Sequence, residues 1–541
     1  MNLKLHIQTA LTAAAENSGF SSSHIIVSDS KDEKHGDLSS NLPLILSKEA
    51  KRPPMKIAEE IIAHIVKDEF IDDVFPSPPG FINFKVADTY YQSLIKTILK
   101  NGNDHGKTII GEGKKANVEF VSANPTGPLT VGHGRNAVLG DTVSNILEFH
   151  GFDVTREYYF NDAGRQMRLL GQSVEARYNE LAHDVSEFPE DGYQGAYIID
   201  IAQQILEDHG NELKTGDPIF KETAEEAIFE NIKNALHSLG IDHNVFSNEK
   251  TIYESGEVEK VVETLKDKDL VYEAEDAVWF KTTSLGMDQD RVLIKSSGEP
   301  TYRLPDMAYH VNKIERGFDL IIDVLGADHV DTYPDVIAAV EALGHSTDHF
   351  KLLIHQFVTL LKGGQKVKMS TRKAEFVTLQ QLVDDVGVDV VRYFFIMRSM
   401  NSHLNFDLDL AADQSEKNPV FYLQYAHARI CNINKHGESQ GISIDSDFDP
   451  SLISSKPELD LLKCADQFPD VMETALNTLE PQSISNYLQE LGTRFHKFYG
   501  ECKVITDDIS LSSARIGLIN AVQNILSSGL TVLGISAPKR M

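Results

Sequence analysis

One segment limits the possible folds more than any other: two strand-like runs joined by a turn and a long helix, between residues 116 and 160. ANVEFVSA (116–123) leads through the turn-rich NPTGPLTVGHG (124–134) into the helical stretch RNAVLGDTVSNILEFHG. The strand-like FDVTREYYF (152–160) follows. Two strands connected through a helical crossover of this length predict a parallel βαβ unit.

The same alternation returns later in the chain. GFDLIIDVLGAD (317–328) and FKLLIHQFVTL (350–360) are strand-like, and the segment 334–343 between them has helical spacing. We therefore predict an α/β fold, in which a Rossmann-like parallel-sheet domain over 111–385 is divided by an acidic insert at about 180–290.

The two ends of the chain have different patterns. Residues 1–110 alternate helical and strand-like runs, which indicates a small α+β domain. Its helices and strands are expected near 2–17, 54–68, 24–28 and 80–86. Beyond about residue 385 the strand-like runs cease, and apolar residues at helical spacing predict an all-α bundle over 386–541.

The net charge first argues against a nucleic-acid partner. The 541 residues include 51 basic and 81 acidic side chains, for a net charge of −30. Residues 180–290 alone hold 27 acidic and 8 basic side chains, a net of 8 − 27 = −19. Because most of the charge lies in one stretch, interpreted as a solvated face, the average does not decide the partner.

Other features narrow the class of protein. Cys431, Cys464 and Cys502 are far apart in sequence, so neither a disulfide framework nor a cysteine-based structural zinc site is expected. The N-terminal apolar stretch contains polar residues, which favours an amphipathic helix over a signal peptide. No run reaches 18 apolar residues, so no membrane span is predicted. We expect a cytoplasmic protein.

The first candidate for chemistry runs from Glu119 to Asn136, where a predicted parallel strand gives way to a helix. Ligands of open α/β sheets bind outside the carboxyl ends of the strands, and helix N-termini suit phosphate. His133 and Arg135 add donors for charge that develops in phosphoryl or nucleotidyl transfer. The alternative is that proline and glycine only shape the turn and His133 only caps the helix.

The second candidate, KGGQKVKMSTRK (362–373), carries five cations and no acid. A cationic loop with two glycines after a sheet strand suits a polyphosphate, on which it can close and open. The alternative is an ordinary basic surface loop.

Together, TVGH (130–133) and KMSTR (368–372) resemble the two signature motifs of class I aminoacyl-tRNA synthetases, usually written HIGH and KMSKS. They occur in the same order, with a long insert between them. The resemblance implies activation of an amino acid with ATP and Mg²⁺, followed by transfer to tRNA.

Longer segments are similar to the arginyl-tRNA synthetase family of bacterial type. They are VEFVSANPTGPLTVGHGRNAVLGD, YYFNDAGRQM, TYRLPDMAYH, VLGADHVDTYP, GDLSSNLPLILSK and the closing SAPKRM, and they span essentially the whole chain. The resemblance implies L-arginine and tRNA(Arg) as substrates. A guanidinium needs carboxylates in a fork geometry, and Tyr302 and Asp306, four residues apart, can share one helical face.

The resemblance also implies roles for individual residues. Catalysis is assigned to His133, Lys368, Thr130 and Arg372. ATP binding is assigned to Gly127, Gly132, Gly134, His133, Met369 and Ser370. The HIGH-like motif comprises Ala123, Asn124, Pro125, Thr126, Gly127, Pro128, Leu129, Thr130, Val131, Gly132 and His133. Arginine binding is assigned to Glu119, Asn124, Tyr302, Asp306 and His329. Contacts with tRNA are assigned to Asn83, Tyr422, Tyr425 and Arg429, the last three on a predicted helix that also carries Gln424 and His427.

Plainer interpretations stay open at several of these positions. Tyr302 and Asp306 can serve as a surface pair or a helix cap, the two C-terminal tyrosines can be core packing, and Asn83 can be structural. Two motif positions also depart from the family: Thr130 stands where histidine is usual, and Thr371 where lysine is frequent.

Three rival functions remain at this point: a nucleotidyltransferase with a small acceptor, a non-catalytic RNA-binding relative, and a class I synthetase for lysine or cysteine. The helical C-terminal domain counts against the nucleotidyltransferase. The presence of His133 and Lys368 counts against the non-catalytic relative, and the candidate carboxylate pocket counts against a synthetase for lysine or cysteine. We expect a monomer that binds neither DNA nor a membrane.

Overall fold

The computed structural model describes residues 3–21, 25–30, 32–162, 164–185, 187–367, 377–442 and 447–541. Lys368, Met369, Ser370 and Arg372 of the second motif lie outside the described residues. The chain divides into two units, one formed by 1–105, 429–467 and 491–525, and the other by 106–428, 468–490 and 526–541.

The N-terminal segment is an α+β arrangement, as expected from its pattern. Its elements are α1 (Leu3–Asn17), β1 (Val27–Asp29), β2 (Leu38–Ser40), α2 (Leu42–Ala50), α3 (Pro54–Ile62), β3 (Ile71–Ser77), β4 (Phe81–Val86) and α4 (Asp88–Asn101). The four strands form an antiparallel sheet in the order β1-β2-β4-β3. Helix α3 is shorter than the sequence predicts, ending at Ile62.

The elements of the middle segment alternate between strand and helix. They are β5 (Lys115–Glu119), α5 (Val131–Phe149), β6 (Asp153–Phe160), α6 (Gly164–His183), α7 (Ala196–His209), α8 (Ile219–Ser238), β7 (Val245–Asn248), α9 (Glu249–Glu254), α10 (Glu257–Asp267), β8 (Val271–Ala274), β9 (Ala277–Phe280), β10 (Arg291–Ile294), α11 (Arg303–Glu315), β11 (Leu320–Gly326), α12 (Tyr333–Leu343), β12 (Phe350–His355), β13 (Val358–Lys362), β14 (Gln365–Lys366), α13 (Leu379–Val386), α14 (Val388–Ile396), β15 (Leu404–Asp407) and α15 (Leu408–Ala412).

A five-stranded sheet in the order β12-β11-β5-β6-β7 forms the centre of this segment, and all four strand pairs are parallel. This confirms the Rossmann-like parallel sheet. From β5 the chain continues to β6 on one side, while β11 and β12 lie on the other. The order therefore reverses at β5, and the crevice outside its carboxyl end is where an open sheet of this kind binds ligands.

Several strands lie where the sequence pattern did not place them, and two of these bear on the domain organisation. Strand β7, within the acidic stretch 180–290, pairs with β6 and forms an edge of the central sheet. Strand β15 lies beyond residue 385 and pairs with β13, so the expectation that strands cease there is wrong at this position. Both strands have four residues, too few to show a period of two against their surroundings.

The rest of the chain is helical, which confirms the all-α C-terminal region. Its helices are α16 (Pro419–Ser439), α17 (Lys456–Asp466), α18 (Phe468–Thr478), α19 (Gln482–Glu501) and α20 (Ile509–Val532). Among the described residues, no helix has the length and apolarity that a membrane crossing needs.

Helix α5 is buried on nearly all sides, although its sequence shows only one apolar face. Its buried polar side chains are hydrogen-bonded, as buried polar groups must be. Arg392, for example, donates to Asp141 of α5 at 2.6 Å, and Asn136 donates to the carbonyl of Val324 at 2.8 Å. The helix is therefore fixed against the sheet by specific bonds, which sets the position of its N-terminus.

Candidate active site

The turn after β5 carries the first motif in an unusual backbone conformation. Val121 and Ser122 have φ angles of 69° and 43°, a region that a branched residue rarely occupies. The Asn136 side-chain oxygen accepts the Val121 N–H at 2.6 Å, and the Ser122 hydroxyl donates to Glu119 at 2.7 Å. These bonds hold the turn in place at the carboxyl end of the sheet.

His133 lies in the first turn of α5, three residues after the N-cap residue Thr130. Its Nδ1 accepts the backbone N–H of Thr130 at 3.2 Å, so the cap interpretation is correct for this nitrogen. Burial lowers the pKa of His133, which favours the neutral ring. Because Nδ1 accepts a hydrogen bond, the proton of the neutral ring sits on Nε2. His133 is thereby set up to donate from Nε2.

The three glycines of the first motif have different surroundings. A Cβ at Gly134 would lie 2.5 Å from Leu379, and a Cβ at Gly127 would lie 2.9 Å from the Tyr197 hydroxyl. At these two positions the missing side chain allows close packing within the protein. The nearest atom to a Cβ at Gly132 is the Thr130 hydroxyl at 3.7 Å, so this glycine leaves the most room for a ligand.

Arg135 does not donate to a phosphate in this structure. Its side chain is fully buried and donates to the backbone carbonyls of Gln356 at 2.6 Å, Ser399 at 3.0 Å and Ser402 at 3.0 Å. The expectation that it adds a donor for transition-state charge is therefore wrong. Its guanidinium instead satisfies carbonyl groups of the connections that follow β12 and α14.

Two carboxylates with weakened acidity lie beside the end of β5. Burial raises the pKa of Asp306, near the start of α11, to about 6, and the negative charge of Glu119 adds to the shift. Burial also raises the pKa of Glu249, the first residue of α9, to about 7, and the charge of Asp306 contributes. Carboxylates that repel each other in a buried place can bind a cation strongly.

Tyr159 of β6 joins these acids into one pocket. Burial raises its pKa well above the ordinary value, with further contributions from the charges of Asp306, Glu249 and Glu119. Its hydroxyl is 3.4 Å from Glu249, and its ring stacks on Tyr309 at 4.2 Å between centroids. The hydroxyl therefore lies next to Glu249 and feels the charges of Asp306 and Glu119, and the Tyr159 ring packs against that of Tyr309.

The other candidate arginine-binding residues surround this pocket. Asn124 accepts the Asn161 N–H at 3.0 Å and donates to Gln166 at 2.9 Å, so it links the turn to the loop after β6. Tyr302 caps α11 and is 56% exposed, which leaves its ring open to a ligand. His329 follows β11, and its charge lowers the pKa of Asp306.

The segment that begins after residue 376, downstream of the second motif, pairs with the first motif. Thr378 forms an isolated bridge with Thr130, and the N–H of Leu379 donates to the carbonyl of Leu129 at 2.8 Å. The segment that follows residues 368–376 in sequence is thus fixed at the N-terminus of α5.

The candidate tRNA-binding residues have mixed surroundings. Asn83 is buried in β4 and donates to the Ser77 hydroxyl at 2.8 Å, a structural bond. Tyr422 and Tyr425 are half-buried on α16. The guanidinium of Arg429 lies 5.1 Å over the ring of Tyr499 and donates to its hydroxyl at 3.2 Å.

Two of the polar residues first considered on the same helix have structural roles. Gln424 donates to Asp389 at 2.7 Å and to the Ser536 carbonyl at 3.1 Å, and His427 lies 2.9 Å from the carbonyl of Pro538. Both are buried. Their hydrogen-bonding groups are used within the protein, at the chain's C-terminal residues.

Sequence reasoning missed three residues of these sites, Tyr159, Glu249 and Tyr499. Tyr159 lies within the segment YYFNDAGRQM, which carried the resemblance but no assigned role. Glu249 lies in the polar SNEK stretch, and the only signal is that it follows a strand of the parallel sheet, which the pattern did not reveal. Tyr499 lies on α19, 37% exposed, and nothing in its local sequence distinguishes it from other surface aromatics.

Comparisons with known proteins agree with this arrangement. Residues 1–86 match the family model of the arginyl tRNA synthetase N-terminal domain, residues 94–393 that of the class I (R) tRNA synthetase catalytic domain, and residues 423–541 that of the DALR anticodon binding domain.

Curated relatives and a solved structure agree as well. The chain is 48% identical to the arginine–tRNA ligase of Salinibacter ruber over 94% of each chain. It is 46% identical to that of Pelodictyon phaeoclathratiforme over 100% of each. The Thermus thermophilus arginyl-tRNA synthetase structure covers the whole of both chains with a TM-score of 0.77 at 20% identity, which supports the fold. The chain belongs to the arginyl-tRNA synthetase family.

Proposed function

We propose that this chain is an arginine–tRNA ligase, which activates L-arginine with ATP and transfers it to the 3′ end of tRNA(Arg). The observation that carries the proposal is the cluster of Asp306, Glu249 and Tyr159, in which Tyr159 and Glu249 lie at the carboxyl ends of β6 and β7. It occurs in a chain 48% identical to an arginine–tRNA ligase.

Asp306 and Glu249 form the fork that recognises the guanidinium. Both carboxylates are destabilised in the free protein by burial, and a cation between them removes that cost. Two charged acceptors also favour a planar guanidinium over the point charge of a lysine ammonium. Tyr302 and Tyr159 line this end of the substrate.

The amino-acid end lies toward the turn after β5. Asn124 and Glu119 bind the α-amino group, and His329 contributes at the opposite edge. Glu119 accepts a hydrogen bond from the Ser122 hydroxyl at 2.7 Å, which orients its carboxylate. The arginine carboxylate thereby points toward the N-terminus of α5, where ATP is placed.

The first chemical step joins arginine to AMP. A carboxylate oxygen of arginine attacks the α-phosphorus of ATP, the bond to the bridging oxygen breaks, and pyrophosphate leaves. His133 donates from Nε2 to a phosphate oxygen, and the free N–H groups of α5 add a positive dipole there. Thr130, Gly132, Lys368, Met369, Ser370 and Arg372 complete the ATP-binding residues, the last four through the second motif.

The second step transfers arginine to tRNA. A hydroxyl of the 3′-terminal ribose attacks the carbonyl carbon of arginyl-adenylate, and AMP leaves. No side-chain nucleophile takes part, so positioning and charge stabilisation account for the rate.

We propose that Mg²⁺ accompanies ATP as an ion bound to its phosphates. Within the described ranges, no group of three or more His, Cys, Asp or Glu side chains is placed to hold a metal, and no protein ligand is assigned to the ion.

The anticodon is read by the C-terminal helices. Tyr422, Tyr425 and Arg429 offer rings and a guanidinium on which unstacked bases can stack, and Tyr499 supports Arg429. The N-terminal sheet, within which Asn83 is buried, is the proposed contact for the tRNA elbow. The enzyme is proposed to act as a cytoplasmic monomer.

The decisive test is arginine-dependent ATP–pyrophosphate exchange, measured with and without tRNA(Arg). Exchange with arginine, and none with lysine or cysteine, is expected in at least one of the two conditions. Absence of arginine-dependent exchange in both would refute the proposal.

Arginine binding should strengthen as pH rises through the range of about 6 to about 7 set by Asp306 and Glu249. The guanidinium requires ionised carboxylates, so binding releases protons that the free enzyme holds at lower pH. Each proton released changes the apparent affinity by up to about tenfold per pH unit. Measurement of kcat/KM for arginine across this range, with KM for ATP as the control, tests this; a flat arginine profile would contradict it.

A further inference from the structure

One buried charge near the pocket has no part in the steps above. Lys313, in the third turn of α11, is fully buried. Its ammonium contacts Glu119, donates to Asp323 at 2.5 Å, and lies 4.5 Å over the ring of Tyr309. Such a charge is very costly to bury without partners, and here it has two carboxylates.

The two acceptors of Lys313 face each other across the sheet. Glu119 ends β5, and Asp323 is its direct partner on the parallel strand β11. Side chains in register on neighbouring strands point to the same face, so the two negative charges repel each other. Lys313 bonds to both, which holds Glu119 against β11.

The remaining bonds leave Glu119 little freedom. One of its oxygens accepts from Ser122, and the other contacts Lys313. Asp323 is fixed in turn by the Tyr333 hydroxyl at 2.9 Å and by His310 at 3.1 Å. Asp323, the second partner of Lys313, is therefore held in place by its own hydrogen bonds. The position of the Lys313 ammonium in turn determines the position of the Glu119 carboxylate.

The charge of Lys313 also reaches the guanidinium pocket. It lowers the pKa of Asp306, whereas Glu119 raises it. His310 and His329 lower it as well, and Glu249 faces Asp306 from α9. Loss of the ammonium would leave Glu119 and Asp323 as uncompensated neighbours, and Asp306 would take up a proton at higher pH.

We propose that Lys313 is a positioning residue for arginine recognition, which acts by fixing the Glu119 carboxylate at the end of β5. The inference rests on the proposed function and adds a residue that makes no contact with the substrate itself. It predicts that loss of Lys313 changes KM for arginine much more than KM for ATP.

The test compares Lys313→Met and Lys313→Arg with the wild-type enzyme in pyrophosphate exchange. Lys313→Met should raise KM for arginine by roughly tenfold or more, because Glu119 loses the bond that fixes it. KM for ATP should change by less than about twofold, since no ATP contact is altered. The rise of kcat/KM for arginine with pH should also move to higher pH. Lys313→Arg keeps the charge and should recover part of the arginine KM and the pH profile; it also carries the test if the methionine variant does not fold.

A double-mutant cycle identifies the route of the effect. In a Glu119→Gln enzyme, adding Lys313→Met should change KM for arginine by less than about twofold, because the residue through which it acts has already been altered. Arg515→Met is the matched control: it removes another cation paired with a buried carboxylate, Glu458, between α20 and α17, and should lower Tm without changing KM for arginine.

Additive effects in the cycle, or equal rises in KM for arginine and for ATP, would overturn the inference. So would an active wild-type enzyme whose arginine KM is unchanged by Lys313→Met and Lys313→Arg. A wild-type enzyme with no arginine-dependent exchange would instead overturn the proposed function, so the two failures are distinguishable.

Discussion

Asp306→Asn should reduce kcat/KM for arginine by about 10² to 10³, the range expected when one partner of a buried charge pair is removed. Asparagine has the same shape as aspartate, but it cannot supply the negative charge that the guanidinium needs. Glu249 remains as a single acceptor, so the fork loses half of its charge. The loss should appear mainly in the kinetic constants measured for arginine, whereas KM for ATP should be nearly unchanged.

The same variant should be at least as stable as the wild-type protein without substrate. Burial makes the ionised form of Asp306 unfavourable, which its raised pKa shows, and a neutral amide avoids that cost. A functional carboxylate is thus expected to lower the stability of the free enzyme. Tm measured without and with arginine separates the two effects, since only the wild-type protein should gain much from the ligand.

Citrulline offers a sharper comparison, because its neutral ureido group has nearly the shape of a guanidinium. Asp306→Asn should lower the ratio of arginine affinity to citrulline affinity, since the variant loses only the electrostatic part of recognition. Glu315→Gln, an exposed carboxylate at the other end of α11 paired with Lys260, serves as the control and should leave both values unchanged. An equal loss of arginine and ATP affinity in Asp306→Asn would mean that the residue supports the fold.

The pattern of the sequence was sufficient for the first motif and for four of the five strands of the central sheet, all except β7. In the segment 116–160, residues at helical spacing lie between two strand-like apolar runs. This pattern alone indicates two parallel strands joined by a helix. Since ligands lie at the carboxyl ends of such strands, Glu119 and His133 could be placed near each other before the structure was known. Glu249 could not be assigned to this site from the sequence, because the strand before it, β7, is only four residues long and lies in a strongly acidic stretch.

Buried charges were the least predictable part of the site. Arg135 was expected to face phosphate, and Lys313 had no assigned role. Helical spacing does not reveal that α5 is enclosed on nearly all sides or that α11 covers two carboxylates. The partners of Arg135 are backbone carbonyls more than 200 residues away. Glu119, one of the two carboxylates that Lys313 contacts, lies 194 residues from it. Only the tertiary structure brings these groups together.

His133→Ala should lower kcat for adenylate formation by about 10² to 10³, the loss typical of removing one donor to transition-state charge. The binding of tRNA should be nearly unchanged, because no tRNA contact is assigned to this residue. The substitution also removes the acceptor for the Thr130 N–H, so a loss of stability of about 1 kcal/mol is expected from the weakened cap.

His133→Asn separates these two roles. Its side-chain oxygen can accept the Thr130 N–H much as Nδ1 does, but the shorter side chain places no donor where Nε2 lies. We therefore expect a Tm close to that of the wild-type protein together with the low kcat of the alanine variant. His133→Gln, whose amide nitrogen reaches nearer to the Nε2 position, should recover part of kcat. If His133→Asn instead has wild-type kcat, the histidine serves only as a helix cap, and the charge on the triphosphate must be stabilised by the second motif and the dipole of α5.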